Sequence, residues 1–355
     1  MKANLFASQR LASTLLLSLL AACGGGGGSS GSSGGSSSSN ASTPSSSPAI
    51  ALVPSTSATI AAYAETGNPI ADSFGYLNMI RETMGLRVLA QDANVATASQ
   101  HHANYLVAND AQGHDEVAGQ PGFTGVDPQT RIAALHPTAY TGEVTITVQS
   151  NQLPDSLYDI ETLFNAPFHR IVMLSDFALA GVGYGTSDQA GAVNLYSALN
   201  VDFADSANSL ASNQLVAYPY SGQTGAPYQW IASESPNPMN DVPNYIGNTV
   251  GYPVTIQGAT GDALVISSFR IASNGADVPC QEVDPQTASI GGDLHGAAMC
   301  TPLQPLTPNT PYTATVAGTK NGQAFNVSWN WTTATAAAVQ KQAVGGAQGM
   351  KVTIE

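Results

Sequence analysis

Gly181-Val182-Gly183-Tyr184-Gly185 lies in an apolar, strand-like run over 179–184. Alternate glycines invite comparison with a dinucleotide-binding fingerprint. That fingerprint needs a glycine-rich turn opening a helix, and none follows here. Glycine inside a strand instead permits close approach of a neighbouring element's backbone. A second strand is predicted over 192–202, where Val193, Leu195, Leu199 and Val201 alternate with polar or smaller residues. The segments before these strands read as helices. Helices first and strands last predict an α+β layer structure over 67–205.

The first helix carries Phe74, Leu77, Ile80 and Met84 at spacings of three and four, followed by Gly85 as a C-cap. The second runs from Asp92, an N-cap residue, to about residue 108. Its stripe is Val95, Ala98, His102, Tyr105 and Leu106. A loop rich in Gly, Asp and Pro comes next. Helix returns over 156–164, and Pro167 opens a short turn through residue 174.

Beyond residue 233 the pattern changes. Strand-like runs at 254–257, 263–271, 312–317 and 325–333 are separated by Gly, Pro and Asn. Asn321-Gly322 is a strong hairpin signal, and Trp329 and Trp331 point to one face. This predicts an all-β, Ig-like sandwich over 233–335, with 206–232 as linker and 336–355 as a loosely ordered tail.

The N-terminus carries Lys2 and Arg10, a short apolar run over 11–20, and then Leu20-Ala21-Ala22-Cys23. That is the layout of a secretory signal, too short to span a bilayer as a mature helix. Its end looks like a bacterial lipobox. Residues 1–22 are then the signal, and Cys23 carries lipid that holds the protein on a membrane. Residues 23–66 form a linker. Its Gly/Ser-rich part, 24–48, has a reach of roughly 25–30 Å. Gly24 and Gly25 follow the cysteine with no Asp, which by resemblance to Gram-negative lipoproteins implies the outer membrane, facing the periplasm or the surface.

Charged residues make up only 10% of the 355, and the formal net charge is -14. That argues against nucleic acid and against docking on anionic lipid. Cys280 and Cys300 in an oxidising compartment are expected to form a disulfide worth about 3 kcal/mol. With His295 between them, a zinc site is the alternative.

Four stretches then occur in order: His114-Asp115-Glu116, Pro121-Gly122-Phe123-Thr124-Gly125, Gly142-Glu143-Val144 and Pro167-Phe168-His169-Arg170. Together with Asn78-Met79-Ile80-Arg81, the His102 to Tyr105 segment and the 181–185 strand, they resemble the CAP superfamily, also called the SCP domain, in its bacterial lipoprotein branch. The resemblance covers about 140 residues. It implies a CAP-type α-β-α sandwich with a shallow cleft, whose floor carries two histidines and two acids that bind zinc or another divalent cation in some members. By matching motifs the histidines are His114 and His169, and one acid is Glu143. The three form a tentative metal set, and two imidazoles with a carboxylate suit zinc. No W-x-x-E motif precedes His169, so the second acid is open between Glu116 and Glu161, with Glu116 favoured beside His114. Arg131 and Arg170 read as residues that pin loops or carboxylates, and His102 as a core histidine.

No complete catalytic set is visible: there is no G-x-S-x-G elbow and no H-E-x-x-H. The first functional expectation is a surface-anchored protein whose cleft binds a ligand or partner. The alternative is a metal-assisted hydrolase of an envelope peptide, glycan or lipid, with Glu143 or Glu116 as general base. Carriage of a lipid or sterol in an apolar groove is a third.

Overall fold

The computed structural model describes residues 48–187, 195–287, 289–294, 296–336 and 351–354. The expectations for the signal, for Cys23 and for His295 fall outside the described residues. Five helices accompany a central sheet in the first region. α1 (Pro69–Thr83) is capped by Asn68, whose side chain accepts from the Ile70 and Ala71 amides. α2 (Ala93–Ala108) is capped by Asp92 as its sequence predicts. α3 (Pro128–Leu135) falls in what reads as loop, although Asp127 caps it and Pro128 opens it. α4 (Tyr158–Asn165) and α5 (Pro167–Met173) follow.

The central sheet runs in the order Lys351–Ile354, Thr141–Ser150, Leu195–Ser206, Phe177–Thr186, Ala90–Gln91. Its three long strands are antiparallel. Side chains on Leu195–Ser206 alternate between two helical layers. Leu199, Val201 and Phe203 join Leu77 and Ile80 of α1 and Ile160 and Leu163 of α4. Ala198 and Ala204 meet Leu106, Val95 and Ala98 of α2. The sheet is therefore sandwiched between helices, and the region is α+β. A Cβ on Gly181 would lie 2.1 Å from the Ala96 amide nitrogen, and one on Gly183 would lie 2.4 Å from Gln100. These glycines exist to let α2 rest on the strand.

The second region holds two five-stranded sheets around a shared core. One runs Ala51–Leu52, Gln214–Tyr218, Val254–Gln257, Ala297–Pro302, Cys280–Val283; the other runs Ala276–Asp277, Leu264–Ser273, Pro311–Lys320, Gln323–Thr333, Gln223–Ala226. Leu215, Val254, Ile256 and Cys300 of the first pack with Phe269, Val316, Trp329 and Trp331 of the second. Asn321 and Gly322 take positive φ and join Lys320 to Gln323, the predicted hairpin. Cys280 and Cys300 are disulfide-bonded on neighbouring strands.

Three boundaries differ from the sequence reading. Residues 51–52, placed in the N-terminal linker, pair in parallel with Gln214–Tyr218. Residues 206–232, read as linker, supply strands to both sheets, because Leu215, Ala217 and Ala226 are core residues. At the end of the chain, Lys351–Ile354 adds to the edge of the central sheet, with Ile354 opposite Ile146 and buried.

The two regions also share a core. Phe164 of α4 meets Tyr218 edge-on, and Phe168 and Ile171 of α5 pack against Val283, Leu294 and Met299. Arg170 is wholly buried at this seam. It donates to Tyr252 Oη at 2.9 Å and to the Pro253 carbonyl at 2.8 Å. Its guanidinium lies 5.0 Å from the Tyr218 ring and 5.1 Å from the Tyr252 ring. Stacking and carbonyl acceptors stand in for a carboxylate partner. Residues 48–336 are one packed body, not two beads.

Candidate functional site

Lys351–Ile354 pairs with residues 146–149, and among the described residues no strand pairs with that edge at 141–145. Glu143 sits in that stretch, on the face that α2 covers, with Asp202 directly opposite and Asn200 beside it. His114 arrives from the loop after α2, and its Nδ1 donates to Glu143 Oε1 at 2.8 Å. Arg131 of α3 donates from Nη2 to Glu143 Oε2 at 2.6 Å, and from Nη1 to the His114 carbonyl at 2.8 Å. One guanidinium thus holds both the carboxylate and the loop that delivers the histidine.

Burial alone would keep Glu143 protonated. The hydrogen bond from His114 and the fields of His102 and Arg131 outweigh burial, and the carboxyl titrates well below the ordinary range. Asp202 goes the other way. It is wholly buried, and burial together with the neighbouring Glu143 charge pushes it far up. Asn200 Nδ2 donates to Glu143 Oε2 at 3.2 Å and to Asp202 Oδ1 at 2.9 Å. Glu143 is therefore the anion of the pair and Asp202 its protonated neighbour, with Glu143 facing the surface side.

Glu116, the favoured second acid, is not on the cleft. Its carboxylate is buried, meets His102 Nδ1 at 3.0 Å, and accepts from the Thr124 amide at 2.6 Å. His102, Thr124 and Arg131 together hold it below its usual range against burial. It ties the 113–125 loop to α2, because its oxygens are consumed by the turn it organises. Glu161, the other candidate, faces a separate cavity.

His169 reaches the cleft from α5. Its Nδ1 lies 3.0 Å from Glu234 Oε2, and the same carboxylate oxygen accepts from the Phe168 amide at 3.2 Å. Burial pushes the Glu234 carboxyl up against the lowering effect of His169. Glu234 belongs to the second region, 65 residues away, and no sequence pattern signals this pairing. Asp202 was missed as well. Its signal was the in-register pairing of two carboxylates across adjacent strands, which needs the register to be known.

Three adjoining cavities meet on Glu143. One of about 310 Å³ includes His114, Asp127, Gln129 and Thr141. One of about 260 Å³ includes Tyr140, Val172, Phe177 and Thr260. The smallest, about 100 Å³, is lined by His114 and His169 together with Ser235, Pro236 and Asp293 of the second region. His114, Glu143 and His169 are thus brought to one cleft, and its far wall is built by non-strand segments of the second region. The His114 side chain is 38% exposed, against 1% for Glu143.

A divalent cation does not suit this arrangement. Both Glu143 oxygens are engaged, one by a guanidinium whose charge repels a metal. Among the described residues no group of three or more His, Cys, Asp or Glu is arranged to hold a metal ion. Nor, among them, is any helix long and apolar enough to cross a membrane.

No protein-family model matches the sequence, and no curated protein does. Among solved structures, the chain is similar to an extracellular protein containing an SCP domain from Bacillus anthracis str. Ames. The identity is 21%, over 38% of this chain and 40% of that one, with a TM-score of 0.29.

Proposed function

We propose that this is a CAP-type protein, anchored to the bacterial envelope through lipid on Cys23, that binds a ligand or partner in the cleft around Glu143. The observation that carries this reading is the convergence of three cavities on one anionic carboxylate flanked by His114, with His169 on the same wall. The partly exposed imidazole of His114, oriented by the Glu143 carboxylate that Arg131 holds, is the polar contact the cleft offers a ligand. The adjoining β-sandwich, of Ig-like type in this reading, contributes Ser235, Pro236 and Asp293, so a ligand would touch both regions. The metal-assisted hydrolase is the weaker reading, because the set that would hold zinc is internally neutralised.

Zinc calorimetry on the protein and on a His114→Ala, His169→Ala double variant separates the two. The binding reading expects no saturable zinc uptake. It also expects the imidazole NMR signals of His114 and His169 to shift when envelope peptide or glycan fragments bind. Micromolar zinc binding that the double variant loses would overturn it in favour of the hydrolase. Ligand shifts confined to residues away from the cleft would overturn the site.

A further inference from the structure

A larger cavity, about 360 Å³, lies apart from the cleft, between the 59–63 segment, α1, α4 and the strand Gln223–Ala226. Tyr63, Tyr76 and Tyr218 line it together with Glu161 and Asn165. The Tyr63 and Tyr76 rings meet edge to face, with centroids 6.3 Å apart and planes at 78°, so they form a corner. That corner is built in. Tyr63 lies over Gly75 of α1, where a Cβ would fall 2.1 Å from the Tyr63 hydroxyl. A mid-helix glycine is unfavourable relative to alanine, and here it makes the seat for the tyrosine.

Glu161 is partly buried in this wall and its carboxylate has no hydrogen-bonding or ion-pair partner among the described residues. Burial and the nearby Glu65 push it up, and its charge in turn opposes ionisation of Tyr76 and Tyr218. Arg170, a buried cation, lies over the Tyr218 ring and is committed to Tyr252 and Pro253. The cavity therefore combines aromatic walls with a carboxylate that has no counter-charge among the described residues, in a chain of net charge -14.

We propose that this cavity binds a small organic cation, a primary or alkylated ammonium, with Glu161 as its counter-charge and the Tyr63 and Tyr76 rings as its walls. An inorganic divalent ion would want several oxygen ligands, and one carboxylate among phenol rings does not supply them. An anion would face Glu161 directly, with Glu65 nearby. The volume is at the lower end of small-molecule sites, so a head group and a short tail fit.

The test is calorimetric titration of the full-length protein at neutral pH with choline, with tetramethylammonium and with 3,3-dimethylbutan-1-ol, the uncharged counterpart of choline. The same probes are applied to Glu161→Gln and to Gly75→Ala, which displaces the Tyr63 ring and leaves the carboxylate in place. Saturable binding of both cations is expected, with the alcohol at least about tenfold weaker and Glu161→Gln weaker by a similar factor. Gly75→Ala is expected to weaken both cations. Absence of saturable binding at millimolar cation, equal binding of the alcohol, or unchanged affinity in Glu161→Gln would each overturn the proposal. Should Glu161→Gln fail to fold by circular dichroism, the comparison of choline with its uncharged counterpart still decides.

Discussion

Asp159 gives a prediction with a sign that is unusual for a carboxylate. It lies in the first turn of α4, is 3% exposed, and its Oδ1 has no partner. Burial pushes its carboxyl up from 3.8 to about 7. Between those two values the folded protein holds a proton that the unfolded chain has released. Folding is therefore favoured most at low pH. The contribution is lost as pH rises through the window, and the curve levels off above about 7. The shift of about 3 units corresponds to about 4 kcal/mol at 1.36 kcal/mol per unit. The positive end of α4 favours the anion and trims that figure. Asp159→Asn keeps the shape and removes the titration. Urea unfolding of both proteins at several values between pH 4 and 8 isolates this residue, because every other carboxylate cancels in the difference. The two should be within about 1 kcal/mol at pH 4, with the variant more stable by up to about 4 kcal/mol at pH 8. A difference that stays flat over that range, or a wild type that gains on its variant as pH rises, would refute the reasoning.

Arg131→Met leaves Glu143 and Glu116 buried without their shared guanidinium, and thermal and urea melts should show a loss of about 3–5 kcal/mol. Adding Glu143→Gln to that variant should recover part of the loss; no recovery would mean that the cost is packing alone. Gly181→Ala forces α2 off the sheet, since the new Cβ would meet the Ala96 backbone, and a destabilisation of about 1–3 kcal/mol is expected in the same melts. Reducing Cys280–Cys300, whose sequence separation is 20, should lower stability by about 3 kcal/mol in urea unfolding with and without reductant.

Local physics made much of the architecture legible. Asp92 announces α2, Asn321-Gly322 announces a hairpin, and alternate glycines at 181 and 183 announce a backbone packed against them. Each signal acts within a few residues. Thr141–Ser150 is a run of β-branched residues that opens on Gly142-Glu143 directly after a loop-rich stretch, so its start carries no strand signal. Gln214–Tyr218 and Gln223–Ala226 escaped because short strands among Ser, Gln and Pro resemble linker until a sheet receives them. His114, Glu143 and His169 carry recognisable local motifs, and they line one cavity. Its supporting residues carry none. Arg131 could be read as holding a carboxylate, but which one depended on α3, and Glu116 looked like a cleft acid because it is next to His114 in sequence. Residues two apart share a side only on regular extended backbone, and the chain bends at 113–114, so Glu116 turns inward to His102 while the His114 side chain stays 38% exposed.

The pairing of His169 with Glu234 explains why the second region belongs to the site. α5 is only seven residues long, and two consecutive side chains on it cross the seam. Arg170 is gripped by Tyr252 and Pro253, and His169 is met by Glu234. The guanidinium fixes the orientation of the helix, and that orientation aims the imidazole at the 234–236 segment. This segment is itself tied to the central sheet, because the Ser235 amide donates to the Ile354 carbonyl. Remove the second region and α5 loses both of these grips, Arg170 keeps only the Phe164 carbonyl among its acceptors, and the cleft loses Ser235, Pro236 and Asp293 from its wall. The cleft of this protein is thus a joint product of the two regions. An isolated α-β-α domain would lack that part of the wall, because Ser235, Pro236 and Asp293 are carried by the second region.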